Sequence, residues 1–380
     1  MHAWRAFVAA TRTATRTVMQ LCGIALAGGV VASCAQAEGL ERGDLVMFAP
    51  AQAAVTSPGQ WTVFIQGRVF ESPAGKPGRQ ALIDALAPVL GADRANPIYR
   101  ERAGQLVSDS AGGTEVSVLL AGRVFDAAPS DAAGVFSLDV ALTDDEIARA
   151  SRQGVVPFET LPTRRNPQRF QGQAVLVPPQ GLTVVTDMDD TIKETNVNDR
   201  TEAKANTFVR PFRPVAGMPA LYRAWQAASG GQIHFHLVSA GPWQLHAPLR
   251  RFTEEAGFPA FTWDMRSIDI TDPRRLIDET VHADPARLFD FKVARIRALM
   301  ARWPARHVVL VGDSGERDPE VYATIASEFA DRVDAVFIRN VTGEPSTAPR
   351  YTRLFADAST AAKLTVFTDP AQLPRRLAAR

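Results

Sequence analysis

Leu182-Thr183-Val184-Val185-Thr186-Asp187-Met188-Asp189-Asp190-Thr191 is a short apolar, β-branched run that delivers three carboxylates within four positions to its end. A packed core gains nothing from such a concentration of charge, whereas a site for phosphate and a cation does. The run reads as a strand ending in an active site. Asp187 and Asp189 are two apart, so on an extended backbone they point to one side, about 7 Å apart along the chain. They repel unless a cation lies between them or one keeps its proton. Mg²⁺ is the natural cation, being hard, oxygen-seeking and usually bound by one or two carboxylates plus a substrate phosphate. The pair then divides the work: Asp187 attacks phosphorus to give an aspartyl phosphate, and Asp189 protonates the leaving oxygen and later deprotonates the hydrolytic water. Thr191 adds a hydroxyl to the same turn. A metal-free acidic turn is the plainer alternative, because so short a string also arises by chance.

Upstream, residues 1–37 read as an export signal rather than part of the fold. Arg5, Arg12 and Arg16 precede an uncharged run over 18–32, too short to span a bilayer, and Ala35-Gln36-Ala37 gives a small-x-small cleavage site. An alternative cut lies before Cys34, where Val31-Ala32-Ser33-Cys34 resembles a lipoprotein box with Cys34 acylated. The expected location is exported, periplasmic or envelope-associated. Cys22 and Cys34 are the two cysteines, so the remaining chain has no pair to oxidise and no thiolate metal site. With 42 basic against 41 acidic residues, nothing suggests a nucleic-acid partner.

The rest of the 380-residue chain divides into two expected domains. Residues 43–172 form a small β-rich, sandwich-like domain, with short β-branched runs at 61–65, 115–120 and 135–140 between turn-forming clusters. Gly67-Arg68-Val69-Phe70-Glu71 and Gly122-Arg123-Val124-Phe125-Asp126 nearly repeat, which suggests similarly placed strands. A helix is expected over 80–90 and a linker over 161–173. Residues 176–345 alternate strand and helix: helix 219–228, strand 233–238, helix 290–303, strand 307–311, helix 319–330 and strand 335–338. That is the pattern of a parallel sheet flanked by helices, an α/β fold. Residues 346–380 add an edge element, a short strand from about 364, and a polar tail.

In such a sheet the ligand site lies outside the carboxyl ends of the strands, and the remaining candidates fall there. Ser239-Ala240-Gly241-Pro242 follows the second strand and offers a hydroxyl and turn amides to phosphoryl oxygens. Lys292 stands at the start of a helix and can offset the negative charge. Asp313 to Asp318, in Gly312-Asp313-Ser314-Gly315-Glu316-Arg317-Asp318, form a second acidic turn able to complete a metal site. Each alone also has an ordinary reading, as turn former, solvated helix residue or helix-capping loop.

Together, Asp-x-Asp-x-Thr, then Ser, then Lys, then Gly-Asp-Ser-x-x-x-Asp resembles the haloacid dehalogenase superfamily of phosphotransferases. The finer wording around 186–193, 208–214, 238–245 and 312–322 resembles the catalytic domain shared by actin-patch-associated phosphatidate phosphatases and, more distantly, the lipins. The resemblance covers about 180–345 and implies a Rossmann-like fold and Mg²⁺-dependent phosphatase activity. It implies Asp187 as nucleophile, Asp189 as acid and base, Ser239 and Lys292 on the phosphoryl group, and Asp187, Asp189, Asp313 and Asp318 around the metal. Related domains that only bind phosphatidate have lost the catalytic aspartates; both stand here.

Substrate recognition is expected from Ala240, Gly241 and the segment 192–232, where Lys193, Arg210 and Arg213 stand among Phe208, Phe212 and Met218. Cations beside apolar groups suit an anionic phospholipid and peripheral contact with a membrane; the alternative is a core with solvated cations. The expected reaction is hydrolysis of phosphatidate to diacylglycerol and phosphate. A soluble phosphomonoester, or phosphatidate binding without turnover, are the alternatives.

Overall fold

The computed structural model describes residues 38–72, 74–266, 268, 279 and 283–377; the export signal expected over 1–37 lies outside them. Eleven strands come first: β1 (Glu38–Gly39), β2 (Asp44–Phe48), β3 (Ala51–Ser57), β4 (Gln60–Glu71), β5 (Asp109–Ser110), β6 (Thr114–Glu115), β7 (Ser117–Leu120), β8 (Arg123–Asp126), β9 (Val135–Thr143), β10 (Val155–Thr160) and β11 (Gln171–Val177). β1 pairs with β6, and the other nine form one sheet in the order β2-β4-β3-β11-β10-β7-β8, with β5 and β9 also on β4. All pairs in that sheet are antiparallel except β3 with β11. The amino-terminal region is thus β-rich. Its helices, Pro77–Leu86, Pro97–Leu106 and Asp144–Ala150, include two that periodicity did not suggest.

Two expectations are corrected here. The near-repeat does not mark equivalent strands: Gly67–Glu71 is the end of β4, where Arg68 and Val69 are buried, whereas Arg123–Asp126 is the sheet edge, where Val124 is exposed. Five matching residues record similar strand chemistry, not similar position. The segment 161–173 is no inter-domain linker, since it joins β10 to β11, which pair with each other. Its polar groups serve the backbone of other strands: the buried Asn166 amide donates to the carbonyls of Glu41 (3.0 Å) and Asp44 (2.8 Å).

The chain passes to a second sheet after β11. β12 (Gly181–Thr186), β13 (His234–Pro242), β14 (Phe261–Arg266), β15 (Arg306–Asp313), β16 (Val333–Arg339) and β17 (Leu364–Phe367) are all parallel, in the order β14-β13-β12-β15-β16-β17. Together the two regions make a mixed α/β fold. β12 is central because both its faces are covered, which is why it reads as an unbroken apolar run. Leu182 and Val184 join a core with Leu221 and Trp225 of the helix Met218–Ala228 and Leu249 of the helix His246–Glu255. Val185 faces the opposite core, with Ile296 of Pro285–Arg302 and Ile325 of Asp318–Glu328. The chain winds from β12 to one side and returns to the other through β15, so the strand order reverses at β12, where open parallel sheets bind ligands.

Arg306 locks the entrance to β12. Its guanidinium is buried and donates to the carbonyls of Pro178 (2.8 Å), Gln180 (2.6 Å) and Leu182 (2.5 Å) and to the Thr183 hydroxyl (2.9 Å). Arg306→Leu strands several buried acceptors and should lower stability by about 3 kcal/mol, measured by urea denaturation.

His246 supplies a second test. It is buried between the rings of Trp243 (5.2 Å) and Trp263 (5.1 Å), and burial pushes its pKa down to about 3. The folded value lies below that of the free side chain, ~6.5. Its contribution is therefore fully present above about pH 6.5 and lost as pH falls toward the folded value. His246→Phe should flatten the acid limb of stability against pH by up to ~1.4 kcal/mol per pH unit in that window.

Candidate active site

β12, β13 and β15 end side by side, and their ends carry the chemistry. Asp187 follows β12 directly and its amide donates to the Val311 carbonyl of β15 at 2.9 Å, which keeps the two strand ends in register. Tyr222 braces the same point from the helix Met218–Ala228, its hydroxyl 2.8 Å from that of Thr186. Lys292, about two turns into the long helix Pro285–Arg302, reaches in from the opposite face. Its ammonium lies 2.9 Å from Asp187, 2.6 Å from Asp318 and 3.0 Å from Glu316, and it is 3 % exposed. Asp313 closes the group from the end of β15, its carboxylate accepting from the amides of Gly315 (2.6 Å) and Glu316 (3.3 Å). Gly312 has no side chain because a Cβ there would lie 2.4 Å from an Asp318 oxygen.

The electrostatics are unbalanced. Four acids, Asp187, Asp313, Asp318 and Glu316, surround one ammonium. Burial drives the Asp187 carboxyl well above its ordinary range against the pull of Lys292, and Asp318, Glu316 and Asp189 push it further. Asp313 is raised in the same way, by burial and then by Asp318 and Asp187. Lys292 holds its proton far past the usual range, because the carboxylates outweigh the cost of its burial. One oxygen each of Asp187 and Asp313 is buried without a hydrogen-bond partner. Oxygens of Asp187, Asp313 and Asp318 lie within 4.8 Å of one another. Orphaned anionic oxygens converging on one point fit a divalent metal, which would both neutralise and coordinate them.

Asp189 is not in that group. Its carboxylate is 2.7 Å from Lys193 and 2.6 Å from the Thr195 hydroxyl. Burial alone would raise it, but Lys193 and Thr195 together with Lys292 outweigh burial and leave it below its usual range. The cation beside the Asp189 carboxylate is thus Lys193, and the one beside Asp187 is Lys292. Nor do three carboxylates converge. Asp190, at φ 52°, turns its carboxylate onto the amides of Thr195 (2.8 Å), Asn196 (2.8 Å) and Val197 (2.7 Å). It shapes the loop instead of meeting substrate. Thr191 is buried with its hydroxyl unpartnered.

The other expected residues divide. Ser239 is buried at the end region of β13, and its hydroxyl accepts from the Gly241 amide at 3.1 Å, so that amide is already engaged. Ala240, Gly241, Lys193 and Asp189 line a cavity of about 240 Å³ whose remaining wall includes Phe212, Leu245, Leu249 and Leu288. Arg210 and Arg213 are outside it: Arg210 pairs with Glu202 at 2.6 Å and Arg213 faces Glu194 at 3.8 Å with its side chain 66 % exposed. Acids nearby in the chain claim them, a pairing visible in the sequence only once the helix Arg200–Phe208 is recognised. Glu316, Arg266 and Arg317 line the cavity without having been singled out. Of these, Glu316 was legible as one more acid in the second turn, while Arg266 ends β14, a strand the periodic reading passed over.

Residues 182–340 match the family model of the phosphatidate phosphatase APP1 catalytic domain. This stretch is similar to that catalytic domain. By its description that domain is one of a phosphatase. Phosphatidate phosphatase APP1 of Saccharomyces cerevisiae is 29 % identical over 178 residues, covering 46 % of this chain and 28 % of that protein. An uncharacterized protein of Schizosaccharomyces pombe is 27 % identical over 175 residues, 45 % of this chain and 27 % of that one. The chain therefore spans less than a third of these relatives' lengths. The match begins in β12 and ends just after β16, so the β-rich region and β17 lie outside it.

The comparisons correct the expected location. The relatives are proteins of two yeasts, so they give no support to a bacterial-type export signal or to an anchor at Cys34. Among the described residues no helix is long and apolar enough to cross a membrane.

The charge imbalance gives a direct test. A divalent cation should raise the thermal midpoint of the protein, and Asp313→Asn should abolish most of that rise, by scanning calorimetry with Mg²⁺ against EDTA.

Proposed function

We propose that the chain hydrolyses phosphatidate to diacylglycerol and phosphate through a phosphoryl group carried on Asp187, with Mg²⁺ held by Asp187, Asp313 and Asp318 in a haloacid dehalogenase-type fold. The observation that carries this reading is the Asp187 carboxylate: one oxygen is fixed by Lys292 at 2.9 Å and the other is buried with no partner, at the end of the central strand. A carboxylate so held leaves that second oxygen open to the metal or to phosphorus. Bound Mg²⁺ supplies positive charge that keeps Asp187 ionised and offsets charge on the phosphoryl oxygens.

The chain's own groups do the rest. Lys292 orients Asp187 and contributes positive charge to the phosphoryl group. Ser239, with its hydroxyl proton free because it accepts from Gly241, donates to a phosphoryl oxygen. Asp189 stands at the wall of the cavity through which substrate must enter. An arriving phosphate raises its pKa by like charge, so that it takes up a proton and delivers it to the departing glycerol oxygen. Ionised again beside Lys193, it takes a proton from the water that cleaves the aspartyl phosphate. The apolar wall formed by Phe212, Leu245, Leu249 and Leu288 favours a substrate with hydrocarbon next to its phosphate over a small soluble ester.

Phosphate release should be followed from phosphatidate in mixed micelles and from a soluble aryl phosphate, each with Mg²⁺ and with EDTA. Metal-dependent turnover well above that of the aryl ester is expected; equal or greater turnover of the aryl ester would reject the lipid substrate. Asp187→Asn, nearly isosteric, should reduce kcat by at least about a thousandfold without loss of fold.

A further inference from the structure

Strands of the nine-stranded sheet and the helix His246–Glu255 enclose a second groove, of about 1130 Å³. Small-molecule sites run from about 300 to 1,000 Å³, so it has room for a ligand of some size. It is separate from the catalytic cavity, and the helix with its preceding turn is the wall between them: Leu245 and Leu249 line the catalytic side, His246, Ala247 and Arg250 the groove side. Residues four apart share a face and residues one apart do not, so Leu245 and Leu249 point away from His246 and Arg250.

The floor is apolar, with Val46, Phe48 and Phe158 buried along it. Its acids are already neutralised by close partners, Glu146 by Arg123 at 2.9 Å and Glu159 by Arg169 at 2.5 Å. Two arginines on the rim are held less closely. Arg149 donates to the Asp145 carbonyl at 3.1 Å and has no carboxylate partner among the described residues. Arg250 meets only Glu254, at 3.5 Å, one turn along its own exposed helix face. At the wall, buried His246 has neither ring nitrogen hydrogen-bonded, an unusual state for a polar group inside a protein. The apolar floor, with Arg149 unpaired by any carboxylate among the described residues and Arg250 only weakly paired on the rim, favours a molecule that is apolar along most of its length and negative at one end.

We propose that this groove binds a single-chain anionic amphiphile, with its alkyl chain on Val46, Phe48 and Phe158 and its head group between Arg149 and Arg250. The site is independent of the catalytic reading, since no residue of it belongs to the Asp187 cluster.

The probe is oleate, below its micellar concentration, in equilibrium binding to the whole chain, with oleyl alcohol as the uncharged counterpart. The expected result is saturable oleate binding at one site, weakened about tenfold or more in the double variant Arg149→Gln/Arg250→Gln, with oleyl alcohol unaffected by the change. Both arginines are exposed, so the fold should survive, and matching thermal melts would show it. Ala247→Trp, which fills the groove from the helix side, should abolish binding, and Asp187→Asn should leave it intact. Absence of saturable binding, equal affinity in the double variant, or loss of binding in Asp187→Asn would overturn the proposal.

Discussion

The structure depends on one ammonium group being surrounded by more carboxylates than it can neutralise. Lys292 holds Asp187, Asp318 and Glu316 at 3.0 Å or less in a site nearly closed to solvent. Removing charges from water is costly, and the cost is recovered only by close, well-directed partners. The fold is arranged to supply them. Gly312 brings Asp313 and Asp318 close, the Val311 carbonyl anchors the Asp187 amide, and the helix Pro285–Arg302 delivers Lys292 from the other side of the sheet. The charge left over is the physical basis for a metal.

Around this cluster two loops have divided tasks. The turn after β12 uses Asp190 to organise the backbone of 195–197 and Lys193 to hold Asp189, which separates Asp187 in the buried cluster from a carboxylate facing the cavity. The pKa shifts of Asp187 and Asp189 run in opposite directions for that reason. Two carboxylates of like chemistry acquire different protonation because their surroundings differ, and the proposed reaction needs both shifts reversed, Asp187 lowered by a bound cation and Asp189 raised by an arriving phosphate.

How much of this was legible follows from which signals are local. β12 announced itself because a strand covered on both faces is a continuous apolar run. The positions of Ser239, Lys292 and Asp313 followed from the alternation of strand and helix. What escaped was set by tertiary partners. The carboxylates of Asp189 and Asp190 diverge because the loop closes on itself through Asp190, which spacing along an extended strand does not anticipate. Arg210 and Arg213 looked like free cations because Glu202 and Glu194 fall beside them only after the chain folds. The polar stretch 161–173 looked like a linker because composition does not reveal that Asn166 is buried against two backbone carbonyls. The strand Phe261–Arg266, by contrast, carried a readable alternation of large apolar and polar residues.

The central claim is that Asp187 carries the phosphoryl group. Protein quenched in acid during turnover of phosphatidate, reduced with borohydride and digested for mass spectrometry tests it most directly, because reduction converts an acyl phosphate to an alcohol and leaves free carboxylates untouched. The account predicts homoserine in place of Asp187, dependent on substrate and metal. Turnover with Asp187 intact throughout, or with the modification at another carboxylate, would contradict it.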